Sequence, residues 1–218
     1  MAMHMEVYEP SHAGIIMYLM QYVVGIDEAG RGPLAGPVAV GAVKIHKEFD
    51  RAFFRGIRDS KKLKSEEREM WFELAEEARK AGELDFAVAL ISESVIDKHG
   101  IAYALRLGIK RCLKKLDIDA EDSQIFLDGG IKAPEKFTHQ LTVIKGDEKI
   151  PVISLAANLA KVVRDRKMVK LSKKFPEFGF HIHKGYGTRM HREAILKYGY
   201  TALHRRTFLN NLTIGRQV

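Results

Sequence analysis

At 218 residues the chain fits one large domain, or a domain with a small appendage. Its 46% hydrophobic content is that of a soluble globular protein, and no apolar run reaches the ~18 residues a membrane span needs. A net charge of +8 points to a polyanionic partner, most simply nucleic acid, and the single cysteine, Cys112, rules out an internal disulfide and fits a reducing cytoplasm.

Residues 1–20 form a methionine-rich extension to which no role is assigned. Their apolar run, 14–20, is short and lacks a basic leader, so it is a poor signal peptide. The organising stretch follows. Residues 22–27 read as a buried β-branched strand that ends in two adjacent carboxylates, Asp27 and Glu28, and runs at once into Gly30-Arg31-Gly32-Pro33. Side chains alternate along a strand, so both carboxylates are expected to face one site only if the strand breaks between them. Two carboxylates aimed at one point call for a shared proton or a cation. An ordinary solvated acidic turn is the competing reading; the glycine turn that follows weakens it.

Residues 38–45 suit an antiparallel neighbour of the first strand, and 86–91 a third strand. Between them, Asp59-Ser60-Lys61-Lys62-Leu63 precedes a helix with Ser65 as N-cap and Met70, Trp71, Leu74, Ala78 and Ala81 in helical period. Residues 101–116 form an amphipathic helix with Leu105, Ile109, Cys112 and Leu113 on one face. Its basic face reads as solvated surface rather than as a nucleic-acid contact. Ile125-Phe126-Leu127-Asp128-Gly129 repeats the opening logic, an apolar strand ending in a carboxylate and a glycine. A helix precedes it, so it should run parallel to its neighbour, where ligands gather beyond the strands' carboxyl ends. A short strand at 141–145 leads to Gly146-Asp147, where Asp147 reads as a turn residue rather than a ligand. A long helix over 153–174 carries Asn158, Lys161 and Asp165 on one stripe, with a Lys161–Asp165 ion pair as its plain reading. Residues 178–188 read as a loop whose glycines leave Tyr186 clear of the backbone; an aromatic anchoring the loop is the alternative. Thr188 caps a helix over 189–198. The histidines show no zinc-ligand spacing.

The motif Asp27-Glu28-Ala29-Gly30-Arg31-Gly32-Pro33-Leu34-Ala35-Gly36-Pro37-Val38 resembles the opening of the type 2 ribonucleases H. Its Gly-Arg-Gly segment is similar to that of bacterial ribonuclease HII rather than ribonuclease HIII. The resemblance continues through residues 59–63, Leu127-Asp128-Gly129, Lys145-Gly146-Asp147, residues 160–165, His183-Lys184-Gly185-Tyr186-Gly187-Thr188 and His204-Arg205-Arg206-Thr207-Phe208. One departure is Ala156-Ala157-Asn158, where the family usually has Ala-Ser-Ile; this puts local packing in question.

The resemblance implies an α/β, ribonuclease H-like fold over residues 21–218: a mixed five-stranded sheet flanked by helices, with a C-terminal helical portion that helps hold substrate. It implies Asp27, Glu28, Asp128 and Asp165 as catalytic metal ligands, an oxygen-only set suited to Mg²⁺ or Mn²⁺. It implies two-metal hydrolysis of the RNA strand of RNA–DNA hybrids, and of DNA duplexes at single embedded ribonucleotides. Gly30, Arg31 and Gly32 would then read the 2′-hydroxyl and Tyr186 would pack on the adjoining sugar, while Ser60, Lys61, Arg164 and Lys184 would contact phosphates. No clear clamp-binding tail follows Phe208, so a monomer is expected. A DNA nuclease of the same fold and a non-catalytic hybrid-binding protein are the two rivals.

Overall fold

The computed structural model describes residues 20–57 and 63–209. β1 (Tyr22–Ala29) lies at the centre of a five-stranded sheet of order β3-β2-β1-β4-β5. β2 (Val38–His46) pairs antiparallel with β1, and β3 (Leu84–Ile91) antiparallel with β2. β4 (Ser123–Asp128) joins the other edge of β1 in parallel, and β5 (Gln140–Val143) joins β4 in parallel. This is the arrangement that the strand patterns and the resemblance imply, three antiparallel strands followed by two parallel ones.

Each sheet face buries its own cluster. Val24, Ile26, Val40 and Leu127 meet Leu105, Ile109 and Leu113 of a helix over Ile101–Lys115. This is α3, preceded by α1 (Ser65–Lys80) and the short α2 (Glu93–His99). On the other face, Val23, Val43 and Ile45 meet Trp71 and Ala75 of α1 and Leu155 and Leu159 of the helix Pro151–Ser172. That 22-residue helix is α5; α4 (Gly146–Lys149) is the single turn before it. Gly25 and Gly41 let α5 lie directly on the sheet: a Cβ on Gly25 would fall 2.5 Å from the Val152 carbonyl, and one on Gly41 would strike the Ala156 carbonyl oxygen.

At about 1.5 Å per residue, α5 is long enough to outrun the sheet. Its far end packs a third cluster, in which Met168 meets Ala35, Phe178, Phe180 and Ile195. Phe180 opens α6 (Phe180–His183), and Ile195 belongs to α7 (Arg189–Tyr198), capped by the Thr188 hydroxyl, which accepts from the His191 N–H. The C-terminal portion is therefore fastened to the sheet through one shared helix.

Several local expectations fail. Ser65 is the first helical residue rather than the cap; Lys64 precedes it, its N–H donating to Glu67 at 2.6 Å. Met70 and Leu74 are exposed, and α1 buries Trp71, Ala75 and Ala78 instead. The expected loop over 178–188 contains α6. β1 does not break between Asp27 and Glu28: its register against β2 runs unbulged through Ala29↔Ala39.

Candidate active site

The last β1–β4 pair is Ile26↔Leu127, so Asp27 and Asp128 are the next residues on two adjacent parallel strands. Neighbouring strands lie about 4.8 Å apart, which brings the two carboxylates together without any special loop. Asp128 pairs with Val143 at the end of β5. The chain then turns through Lys145, in the left-handed region at φ 56°, into α4, whose second residue is Asp147. The Gly146 N–H donates to Asp128 Oδ1 at 2.6 Å, and a Cβ on Gly146 would press on Ile153 at 2.7 Å. Asp147 is buried, and its carbonyl accepts from the Ser154 hydroxyl. One oxygen from each of Asp27, Asp128 and Asp147 lies within 4.8 Å of the others.

Burial pushes the Asp27 carboxyl well above the usual carboxylate range; the charges of Glu28, Asp128 and Asp147 push the same way, and the Glu28 N–H, 2.6 Å from Asp27 Oδ1, pulls back. Three converging carboxylates, two of them buried, form a hard oxygen donor set, and a divalent cation would relieve their repulsion. The chemistry of the set fits Mg²⁺ or Mn²⁺. Glu28 projects from the other face of β1. Both residues border the same cleft because β4 leaves β1 unpaired beyond Ile26, opening its edge. Arg31 lies 3.6 Å from the Glu28 carboxylate.

That cleft encloses about 480 Å³. The acids form one wall; Gly30, Arg31 and Gly32 form another, and Tyr186 stands at the rim with Arg68 and Lys161 nearby. Gly30 adopts φ 87°, and a Cβ there would collide with the Arg164 guanidinium. A Cβ on Gly32 would meet nothing within 4 Å. The first glycine is thus required by packing beneath the loop, whereas the second leaves backbone bare towards the cleft. The Tyr186 ring is half exposed and lies 5.6 Å from the Lys161 ammonium.

The structure gathers Asp27, Glu28, Asp128, Gly30, Arg31, Gly32 and Tyr186 as the sequence suggests, and departs from it at three residues. Asp165 is not part of the converging carboxylates. It receives Lys161 at 3.0 Å, the plain ion pair of the helix stripe, and Asp147 converges with Asp27 and Asp128 instead. Arg164 cannot reach a phosphate: it is fully buried and donates to the carbonyls of Pro37 at 2.9 Å and Lys184 at 3.0 Å. Lys184 does not line the cleft, and its ammonium donates to the His181 carbonyl at 2.5 Å. Arg68 and Lys161 also border the cleft; the sequence marks Lys161 only as the ion-pair partner of Asp165 and gives Arg68 no role. Ser60 and Lys61 lie outside the described residues. Asp147 follows its glycine, whereas Asp27 and Asp128 precede theirs, so the strand-carboxylate-glycine pattern does not single it out.

The profile of the ribonuclease HII family matches residues 24–211. The ribonuclease HII of Caldicellulosiruptor bescii is 41% identical over 193 residues, covering 88% of each chain. That of Coxiella burnetii is 40% identical, covering 85% of this chain and 87% of the other. Among solved structures, ribonuclease H2 of Pyrococcus horikoshii superposes with a TM-score of 0.65 at 29% identity, over 85% of this chain and 93% of that one. Bst-RNase HIII shares the fold, with a TM-score of 0.69 at 16% identity over 96% of this chain and 74% of that one. The chain belongs to the ribonuclease HII family, a family of metal-dependent ribonucleases of the hydrolase class.

Proposed function

We propose that the chain hydrolyses the RNA strand of RNA–DNA hybrids and cuts DNA duplexes on the 5′ side of single embedded ribonucleotides, leaving 5′-phosphate and 3′-hydroxyl ends. The observation that carries this reading is the convergence of Asp27, Asp128 and Asp147 beneath a cleft walled by the Gly30-Arg31-Gly32 segment, whose backbone is bare at Gly32. The carboxylates supply the chemistry; the bare backbone supplies a place to recognise a ribose.

Asp27, Glu28, Asp128 and Asp147 would hold the metal, Mg²⁺ or Mn²⁺. A pair of such ions, when bound, activates water and neutralises the charge that develops on the departing 3′-oxygen. The protein's own groups do the rest. The carboxylates at the strand ends fix where a bound cation, and with it the scissile phosphate, would sit. Arg68 and Lys161 offset its charge without reading sequence. Backbone N–H groups of the glycine loop donate to the 2′-oxygen, the atom that separates RNA from DNA. Tyr186 offers a ring face to the next sugar. The groups that border the cleft suit sugar and phosphate rather than base edges, so cutting is expected not to depend on base sequence. Among the described residues no helix is long and apolar enough to cross a membrane.

The test compares an RNA–DNA hybrid, the matching DNA duplex and the single-stranded RNA, each with Mg²⁺, Mn²⁺ or chelator. Metal-dependent cutting of the hybrid alone supports the reading. Equal cutting of the DNA duplex would instead indicate a DNA nuclease of this fold. Tight hybrid binding without turnover in either metal would indicate a binding module.

A further inference from the structure

We propose that Arg205 is a positioning residue for ribose recognition: its buried guanidinium holds the glycine loop by its carbonyls and thereby aims the loop's N–H groups into the cleft. This rests on the proposed reading of Gly30-Arg31-Gly32 as the ribose sensor. Arg205 lies far from that loop in sequence and is fully buried. Its Nη2 donates to the Gly30 carbonyl at 2.8 Å, its Nη1 to the Arg31 carbonyl at 2.9 Å and its Nε to the Gly36 carbonyl at 2.9 Å. One planar fork thus fastens both ends of the loop.

A trans peptide carries its N–H opposite its C=O. With the Gly30 and Arg31 carbonyls drawn inward, the N–H groups of Arg31 and Gly32 are turned outward. Among the described residues neither donates to a protein acceptor, and Gly32 presents no side chain to shield them. The backbone brackets the same place: Arg205 N–H donates to the Leu34 carbonyl at 2.8 Å, and Gly36 N–H to the Leu203 carbonyl at 2.8 Å. Burial and the neighbouring Arg164 pull the Arg205 guanidinium down to about 9, a penalty that an apolar residue would avoid. An apolar residue could not hold three carbonyls, and neither could a lysine, whose ammonium cannot span the fan that a guanidinium covers.

The experiment measures binding of a duplex with one ribonucleotide and of the matching all-DNA duplex in Mg²⁺, in an Asp27→Asn background so that bound duplex is not consumed. Arg205→Lys is expected to reduce the ribonucleotide-to-DNA affinity ratio up to about tenfold while leaving the all-DNA affinity within about twofold, since one lost hydrogen bond from a loop N–H to the 2′-oxygen is worth up to about 1.4 kcal/mol. Ile195→Ala, which loosens the same C-terminal cluster without touching a loop carbonyl, is expected to leave the ratio unchanged. An unchanged ratio in a folded Arg205→Lys protein would overturn the role of Arg205 alone. No preference in the Asp27→Asn protein itself would overturn the ribose-sensor reading and this role with it. Should Arg205→Lys not fold, hydrogen exchange on the Asp27→Asn protein decides. The Arg31 and Gly32 amides should be protected by the ribonucleotide duplex and not by all-DNA; equal protection by both duplexes, or by neither, counts against the proposal.

Discussion

Asp147 and Asp165 show how one residue's surroundings decide its role. Both are aspartates close to the cleft, on consecutive helical segments. Asp147 is buried beside Asp27 and Asp128, where like charges need a cation; Asp165 already has one in Lys161. Removing a group that only supports a metal ligand costs about 10- to 100-fold, and a ligand itself costs more. Asp147→Asn should therefore lower kcat on a hybrid by at least about 100-fold, whereas Asp165→Asn should cost under about tenfold; steady-state rates at saturating Mg²⁺ check both. The sequence pattern named Asp27, Glu28 and Asp128 because each closes or follows an apolar run before glycines. It reads Asp147 as a turn residue because β5 is only four residues long and the one-turn α4 carries no period. Asn158 is a second case. Flagged in the sequence as an amide where the family has isoleucine, it is fully buried in α5, and neither of its side-chain polar atoms has a hydrogen-bond partner among the described residues. Leaving such groups unpaired costs about 1–3 kcal/mol. Asn158→Ile should raise the thermal midpoint with activity retained; a lower midpoint would mean that α5 cannot accommodate the larger side chain.

At the scale of elements, the strands were legible and the C-terminal segments less so. β1 announces itself by a β-branched run and β4 by the apolar run Ile125-Phe126-Leu127, and the intervening helix dictates parallel pairing, which places Asp27 beside Asp128. The expected kink at Glu28 was wrong because alternation was argued for β1 alone: the edge opens where its partner stops, without any bulge. α6 and the turns around it are too short for a hydrophobic period, so the packing there could not be read. It contains a buried histidine relay. Thr201 N–H donates to His204 Nδ1 at 3.0 Å, which leaves a hydrogen on His204 Nε2. That nitrogen sits 3.1 Å from His191 Nε2, and His191 Nδ1 donates to the Tyr186 carbonyl at 3.0 Å. A proton added to either ring would put two N–H groups face to face. Burial lowers both groups to about 4 from 6.5, helped by His183 at His191 and by His191 at His204, against the pull of their backbone partners. Because the folded state binds these protons less readily than the unfolded chain, their stability contribution is complete above about 6.5 and is lost as pH falls towards 4. The slope approaches about 1.4 kcal/mol per pH unit for each ring. Denaturant midpoints across that window should fall steeply for the native protein and less so for His204→Gln; equal slopes would remove the relay from the stability account.

Across the whole molecule, α5 links sheet and C-terminal portion, so the acids on the strand ends and the loops that face them share one support. The glycine loop and the Tyr186 loop are tied to each other as well, through Leu34 N–H to the Gly185 carbonyl at 2.9 Å. The +8 net charge suits a duplex partner, while the acidic strand ends place the negative charge at the point of cutting. Fold class and partner class were legible from motif order and charge. The inward roles of Arg164 and Arg205 were not, because a buried guanidinium and a phosphate-binding one look alike in sequence. The central claim is that this cleft joins metal-dependent hydrolysis to ribose recognition. Its most direct test maps the products of a duplex carrying one ribonucleotide, labelled on that strand. The account predicts one metal-dependent cut on the 5′ side of the ribonucleotide, a 3′-hydroxyl upstream, a 5′-phosphate downstream and an intact all-DNA control. Cuts at deoxynucleotide positions, or a 2′,3′-cyclic phosphate end, would contradict it.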